Sequence, residues 1–229
     1  MRKYSAPLLF LFLLSHTSTF AQRTGAPPQS KPIEIQIHGA PIATRVLVQS
    51  PAETATELQI ICLFESEKQN VLRGSLAEIN AKLHELLDQI RQPTLFRGEL
   101  GETLLIEPRA GSIGAKRLLL VGLGEPATFT PTRMDLVGSI VYRESSRLGI
   151  AHPYFAPTVI DGGVTKFSTG EVAESFIVGF LRGARTDQIL KKQGVAQGSF
   201  PQDVTYLAGP SHATDTQQGI EKGFAGAQN

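Results

Sequence analysis

Short, nearly unbroken apolar runs punctuate this chain, and between them apolar residues recur every three or four positions. Leu118 to Leu123 is the clearest run: five of its six residues are large and apolar, and no polar face is left. A strand of this kind is dry on both sides, so it belongs in the middle of a sheet with both faces covered. Leu58 to Phe64, inside a strand spanning Glu57 to Glu65, reads the same way. Pro32 to His38 alternates instead, with Ile33, Ile35 and Ile37 against Glu34 and Gln36, as a half-buried strand near an edge does. Shorter strands are predicted over Arg45 to Gln49, Glu102 to Glu107, Pro157 to Asp161 and Val204 to Gly209.

Four stretches have helical spacing. Ser75 to Arg91 carries Leu76, Ile79, Leu83, Leu86, Leu87 and Ile90 on one stripe, with Ser75 and Glu78 placed as a capping box and Pro93 beyond. A second helix opens at Thr130 and Pro131 and runs to about Leu148, where Gly149 stops it. Ser168 and Glu171 form another capping box, opening a helix to about Ala184; Asp187 to Gln202 then reads as polar and loop-like, with a short helical turn as the alternative. Thr214 to Ala225 is a last, weakly apolar helix. Strands alternating with helices that cover them define an α/β fold, a three-layer αβα sandwich on a mixed, mostly parallel sheet.

The amino terminus has a different grammar. Arg2 and Lys3 precede the apolar stretch Ala6 to Leu14, and Ser15 to Ala21 ends in small residues. This predicts a secretory signal peptide over residues 1–21, too short in its apolar part to span a bilayer as a mature helix. Gln22 to Lys31, rich in Pro, Gly and Gln, reads as a loose leader before a domain at 32–229. The expected location is therefore periplasmic or secreted, with no membrane contact after cleavage. Without Arg2 and Lys3, the 22 Lys+Arg and 21 Asp+Glu leave the mature chain one charge negative, which gives no electrostatic case for a nucleic-acid partner. Cys62, the one cysteine, sits inside an apolar run and reads as a small buried hydrophobe.

Candidate chemistry is sparse. His84-Glu85-Leu86-Leu87-Asp88 resembles a zinc-peptidase helix with its last ligand changed, but helical spacing turns these polar groups toward solvent. His38, His152 and His212 show no ligand spacing, and Gly111-Ser112-Ile113-Gly114 is one residue short of a nucleophile elbow. No catalytic, metal or cofactor residue is assigned. Two ligand-loop candidates remain: Gly122 and Gly124 at a strand exit, and Gly162 and Gly163 ahead of the helix at Thr169, where free N–H groups would suit an anion.

Phe96-Arg97-Gly98-Glu99-Leu100-Gly101-Glu102, then Lys116 to Gly124 ending Val-Gly-Leu-Gly, then Phe129-Thr130, resemble the N-terminal domain of the leucyl aminopeptidases. The resemblance implies a macro-domain-like sandwich that carries no catalytic residue and contributes to assembly. In that family the metal ligands belong to a separate C-terminal domain, whose Asn-Thr-Asp-Ala-Glu-Gly-Arg signature does not occur here. Gly163 to Gly170 resembles the family's metal-ligand loop only superficially, because Lys166 stands in it and no Asp follows Phe167. The expectation is a stand-alone binding or assembly module, partnered by a catalytic aminopeptidase domain or by itself. Its alternatives are a truncated or split metalloaminopeptidase subunit, and a macro-like binder of a nucleotide-type ligand.

Overall fold

The structure is a computed structural model, and it describes residues 32–65, 71–91, 95–196 and 201–227. The predicted signal peptide and leader lie outside these residues, as does Pro93. Contacts group Pro32–Asn229 as one unit.

Seven strands form a single sheet. In chain order they are β1 (Ile33–Ile37), β2 (Ala43–Val48), β3 (Gln59–Leu63), β4 (Thr103–Ile106), β5 (Leu118–Gly122), β6 (Tyr154–Ala156) and β7 (Asp203–Ala208). Their spatial order is β1-β2-β7-β6-β3-β5-β4. The five inner strands are parallel, and only the edge strands β1 and β4 run antiparallel to their neighbours. The doubly apolar β3 and β5 pair in register from Gln59 with Leu118 to Leu63 with Gly122, and every residue of both is buried. Ile60, Cys62, Leu119 and Val121 enter one layer of the core, and Ile61, Leu63, Leu118 and Leu120 the other. A strand side-chain period of two, apolar on both phases, is what a sheet wet on neither face requires. β5 is nevertheless one strand in from the β4 edge rather than central. It is covered there because helices, not further strands, close both of its faces.

Five helices supply that cover: α1 (Gly74–Lys82), α2 (Leu86–Ile90), α3 (Arg133–Arg147), α4 (Thr169–Lys192) and α5 (Ala213–Ala227). α1 and α2 join one core layer, and α3, α4 and α5 the other. Glycines let α3, α4 and α5 meet backbone to backbone. A Cβ on Gly138 would lie 2.0 Å from the Phe176 carbonyl oxygen, one on Gly179 1.8 Å from that of Asp135, and one on Gly219 2.1 Å from that of Gly170.

Four sequence expectations are corrected. The helix predicted over 75–91 is two helices, broken at Leu83–Glu85, where His84 and Glu85 take positive φ of 55° and 61°. Asn80 causes the break to hold: it is buried, and its side chain donates to Asp88 Oδ2 at 2.8 Å and to the Glu85 carboxylate. The capping box of Ser75 and Glu78 does not form. The cap position is Arg73, with no side-chain bond, and the carboxylate of Asp161 receives the Ser75 N–H at 3.1 Å. Pro157 to Asp161 is irregular chain leading into a turn, and the strand there, β6, lies just before it. Asp187 to Lys192 continues α4 instead of forming a loop, because no Gly or Pro interrupts good helix formers before Gly194, which ends the run at φ 69°. The second capping box forms as predicted, with Ser168 Oγ accepting the Glu171 N–H at 3.0 Å and Glu171 accepting that of Ser168 at 2.9 Å.

Candidate functional site

The C-terminal ends of the parallel strands β2, β6 and β7 open into a cavity of about 420 Å³. Parallel α/β sheets bind ligands at this end of their strands, and the volume falls within the roughly 300–1,000 Å³ of small-molecule sites. Three strand exits shape its floor: Gln49-Ser50-Pro51, Pro157-Thr158 and Gly209-Pro210. Both helical layers reach it, α1 through Ser75 and Glu78, and α4 and α5 through Thr169, Val172 and Thr216.

Thr158 sits at the bottom, and its geometry follows from what β6 leaves undone. The strand stops at Ala156, yet Cys62 in the neighbouring β3 still needs a partner for its buried N–H and C=O. The Thr158 hydroxyl supplies both, accepting the Cys62 N–H at 3.0 Å and donating to its carbonyl at 2.6 Å. Thr158 holds φ at 48°, a left-handed conformation that costs a β-branched residue energy and survives only where its surroundings hold it.

Two carboxylates line the cavity, Glu78 and Asp161. Glu78 accepts the Ser50 hydroxyl at 2.6 Å, and Asp161 accepts the N–H and hydroxyl of Ser75. Tyr206 is buried in the wall against Phe155 and Phe176, and its hydroxyl has no hydrogen-bond partner among the described residues. Burial raises its phenol well above the usual range, so it is neutral. His212 lines the rim just before α5. Of these residues, sequence reading dismissed His212 for lack of ligand spacing and gave Ser75 and Glu78 only a capping role. The lining comes from segments far apart in the chain, and no local pattern links them to one cavity.

The glycine candidates lie elsewhere or are already engaged. Gly122 and Gly124 are apart from the cavity, packed under the loop at Gly98–Gly101: a Cβ on Gly122 would lie 1.9 Å from the Glu99 carbonyl oxygen. Their N–H groups bond the carbonyls of Glu102 at 2.8 Å and Gly98 at 2.9 Å. Gly162 and Gly163 belong to the loop between Asp161 and Phe167, which both line the cavity, but their N–H groups bond the carbonyls of Thr158 and Ile160, each at 2.9 Å. The N-terminus of α4 is occupied too. Beyond the Ser168–Glu171 box, Asp215 Oδ2 accepts the Gly170 N–H at 2.7 Å and the Thr169 hydroxyl at 2.8 Å.

Among the described residues no three His, Cys, Asp or Glu side chains come together to hold a metal ion. In the Gly163 to Gly170 loop the Lys166 ammonium rests over the Phe167 ring, 5.0 Å from its centroid. That loop puts a cation where a metal pair needs carboxylates, so it does not fit one. His84 and Glu85 form the break between α1 and α2, and Glu85 and Asp88 converge on Asn80. Cys62 is wholly buried, and burial pushes its thiol far up in pKa, which leaves it inert as a nucleophile.

Comparison with known proteins places the chain. The model of the cytosol aminopeptidase family, N-terminal domain, matches residues 60–193. A probable cytosol aminopeptidase of Roseiflexus castenholzii (strain DSM 13941 / HLO8) is 26% identical over 183 residues, covering 80% of this chain and 34% of the relative. One from Geobacter sp. (strain M21) is 35% identical over 159 residues, covering 69% of this chain and 30% of the relative. The chain thus spans about a third of the length of the curated relatives it matches. In fold it is similar to a mutant of tomato leucine aminopeptidase, with a TM-score of 0.55 and 16% identity over 78% of this chain and 35% of that one. It is also similar to the Oceanobacillus iheyensis macrodomain solved with ADP, with a TM-score of 0.54 and 12% identity over 84% and 97% of the two chains. The family model covers more than half of the residues, and the fold it implies is the fold observed: the chain belongs to the cytosol aminopeptidase family and carries its N-terminal domain.

Proposed function

We propose that this chain is a non-catalytic N-terminal domain of the family that acts, after export, as a binding or assembly module. The observation that carries the reading is the cavity at the strand ends of β2, β6 and β7, a preformed concave site with a few convergent polar groups. The match to the N-terminal part of the family supports it. Residues 1–21 direct export in this reading. The test uses the full chain expressed in an exporting cell. The expected product is cleaved after Ala21, lies outside the cytoplasm, and releases no p-nitroaniline from leucine p-nitroanilide with or without added zinc or manganese. Turnover that a chelator abolishes overturns the non-catalytic role, and an uncleaved cytoplasmic product overturns export.

A second reading, a truncated or split peptidase subunit, draws on the match to the N-terminal domain of a peptidase family. It predicts that the chain co-purifies with a separate catalytic domain and raises that domain's activity. A third is a nucleotide-type ligand in the cavity, by analogy with macrodomains solved with ADP or ADPR. It predicts heat on titration with ADP-ribose, and the charges around the cavity bear on it directly.

A further inference from the structure

The cavity has a polarity of its own. Its charged lining side chains, among the described residues, are the carboxylates of Glu78 and Asp161; no Lys or Arg lines it. Ionised carboxylates have about four acceptor positions each. Glu78 uses one of its own on Ser50 and also interacts with Glu53 and Lys82, and Asp161 uses two on Ser75, so acceptor positions remain on both. Behind the rim, Glu171 and Asp215 add two more carboxylates at the start of α4 and α5.

Groups that would hold a phosphate are spent. The N–H groups of Gly162, Gly163 and Val164 bond carbonyls of their own turn at 2.9, 2.9 and 3.1 Å. Those of Ser168, Gly170 and Glu171 bond Glu171, Asp215 and Ser168. The cations nearby are engaged and do not line the cavity: Lys82 pairs with Glu53 at 2.6 Å and also feels Glu78, and the Lys166 ammonium rests over the Phe167 ring. The N-terminal end of α5 beside His212 adds roughly half a positive charge. Asp215 lies in the first turn of that helix and opposes it. On the wall itself the cavity presents two carboxylates and no Lys or Arg donor. Between the polar points the walls are apolar, with Val48, Pro51, Val159, Phe167, Val172 and Leu207.

We propose that this cavity takes an organic cation, an apolar body carrying one ammonium group that Glu78 and Asp161 receive, and that it disfavours phosphate-bearing ligands. The proposal rests on the cavity being a binding site and goes further by naming the ligand's charge and shape. A primary amine fits the acceptors because its three N–H donors match carboxylates that have only acceptors to offer. The hydrocarbon part displaces water from the apolar walls.

The test titrates the full chain with probes that share one body and differ in charge: cyclohexylmethylamine, cyclohexylmethanol and cyclohexanecarboxylate, with ADP-ribose as the phosphate-bearing probe. Binding is read by isothermal calorimetry and by amide NMR shifts at Thr158, Asp161 and Thr169. The expected order is amine, then alcohol, then carboxylate, with at least tenfold between the first and last. Glu78→Gln weakens the amine several-fold and leaves the alcohol unchanged. Asp161→Asn does the same, and thermal melting shows whether each variant is folded. Carboxylate or ADP-ribose binding as tightly as the amine overturns the cation preference and leaves the cavity standing as a binding site. Shifts from no probe at all overturn the site itself.

Discussion

The Thr158 side chain pairs with the Cys62 backbone as a strand residue would, although Thr158 lies beyond the end of its own strand. One hydroxyl replaces two ladder bonds and lets the chain leave the sheet early, and the space this opens becomes the floor of the cavity. The expected consequence is sharp. Thr158→Val keeps the shape but leaves two buried backbone groups unpaired, at about 1–3 kcal/mol each. Thr158→Ser keeps the hydroxyl and costs less than about 1 kcal/mol. Urea unfolding of both variants checks this, and equal losses would show that the hydroxyl is not what matters.

Gly122 closes the site the sequence offered as a ligand turn. A Cβ there would meet the Glu99 carbonyl oxygen at 1.9 Å, and the obstacle is backbone on both sides. Gly122→Ala is expected to lower stability by about 3 kcal/mol or more, above the usual overpacking range, because no side chain can swing aside. Gly111→Ala is the control: its Cβ would meet nothing within 4 Å, so only its φ of 84° is strained. Thermal melts that rank the two equally would contradict this account.

The α3–α4 crossing makes a parallel prediction at a helix pair. Gly138 and Gly179 each face a carbonyl oxygen of the other helix within 2.0 Å of a would-be Cβ. In an isolated helix, Gly→Ala would stabilise by about 1 kcal/mol through propensity. Here Gly179→Ala is expected to destabilise by at least about 2 kcal/mol, since the helices must part. The sign of the shift in a denaturation midpoint decides between the two.

Glu102 holds the loop that covers Gly122. Its carboxylate accepts the N–H groups of Arg97, Gly98 and Glu99, the shortest at 2.8 Å to Gly98. Glu102→Ala frees all three, and a loss of about 1–3 kcal/mol is expected, with Glu102→Gln intermediate because its carbonyl still accepts. Hydrogen exchange at residues 97–99 should accelerate in the alanine variant and stay near wild type in the glutamine one. Unchanged exchange in Glu102→Ala would remove the carboxylate from this role.

Alkaline pH tests the burial of Cys62. Burial raises its thiol pKa above that of the unfolded chain, about 8.5, so the fold keeps the proton that the unfolded chain gives up. This contribution to stability is complete below the unfolded pKa. It declines as pH rises from there toward the raised folded value, by about 1.4 kcal/mol per pH unit. Between roughly pH 8.5 and 10, below ordinary tyrosine ionisation, wild type should lose stability and Cys62→Ala should lose markedly less. Matching slopes for the two proteins in urea unfolding would assign the loss to another group.

The sequence by itself determined the layers. Runs apolar on both phases, at Leu58–Phe64 and Leu118–Leu123, had to lie in a doubly covered sheet, and the Ser168–Glu171 box had to start a helix, because those signals act between residues close in the chain. The family resemblance around Phe96–Glu102 and Lys116–Gly124 named the domain for the same reason: it is carried in contiguous residues. Tertiary structure decided what depends on partners far apart. Asp161 caps α1 across 86 positions, Asp215 fills the α4 N-terminus across 45, and Asn80 collects the carboxylates that break the predicted long helix. The cavity is of this second kind. Glu78, Thr158, Asp161, Tyr206 and His212 share no spacing or motif; the adjacency of β2, β7 and β6 and the docking of α1 against their exits bring them to one cavity, since strand order and helix placement are set by packing over long loops and not by any local preference of the residues.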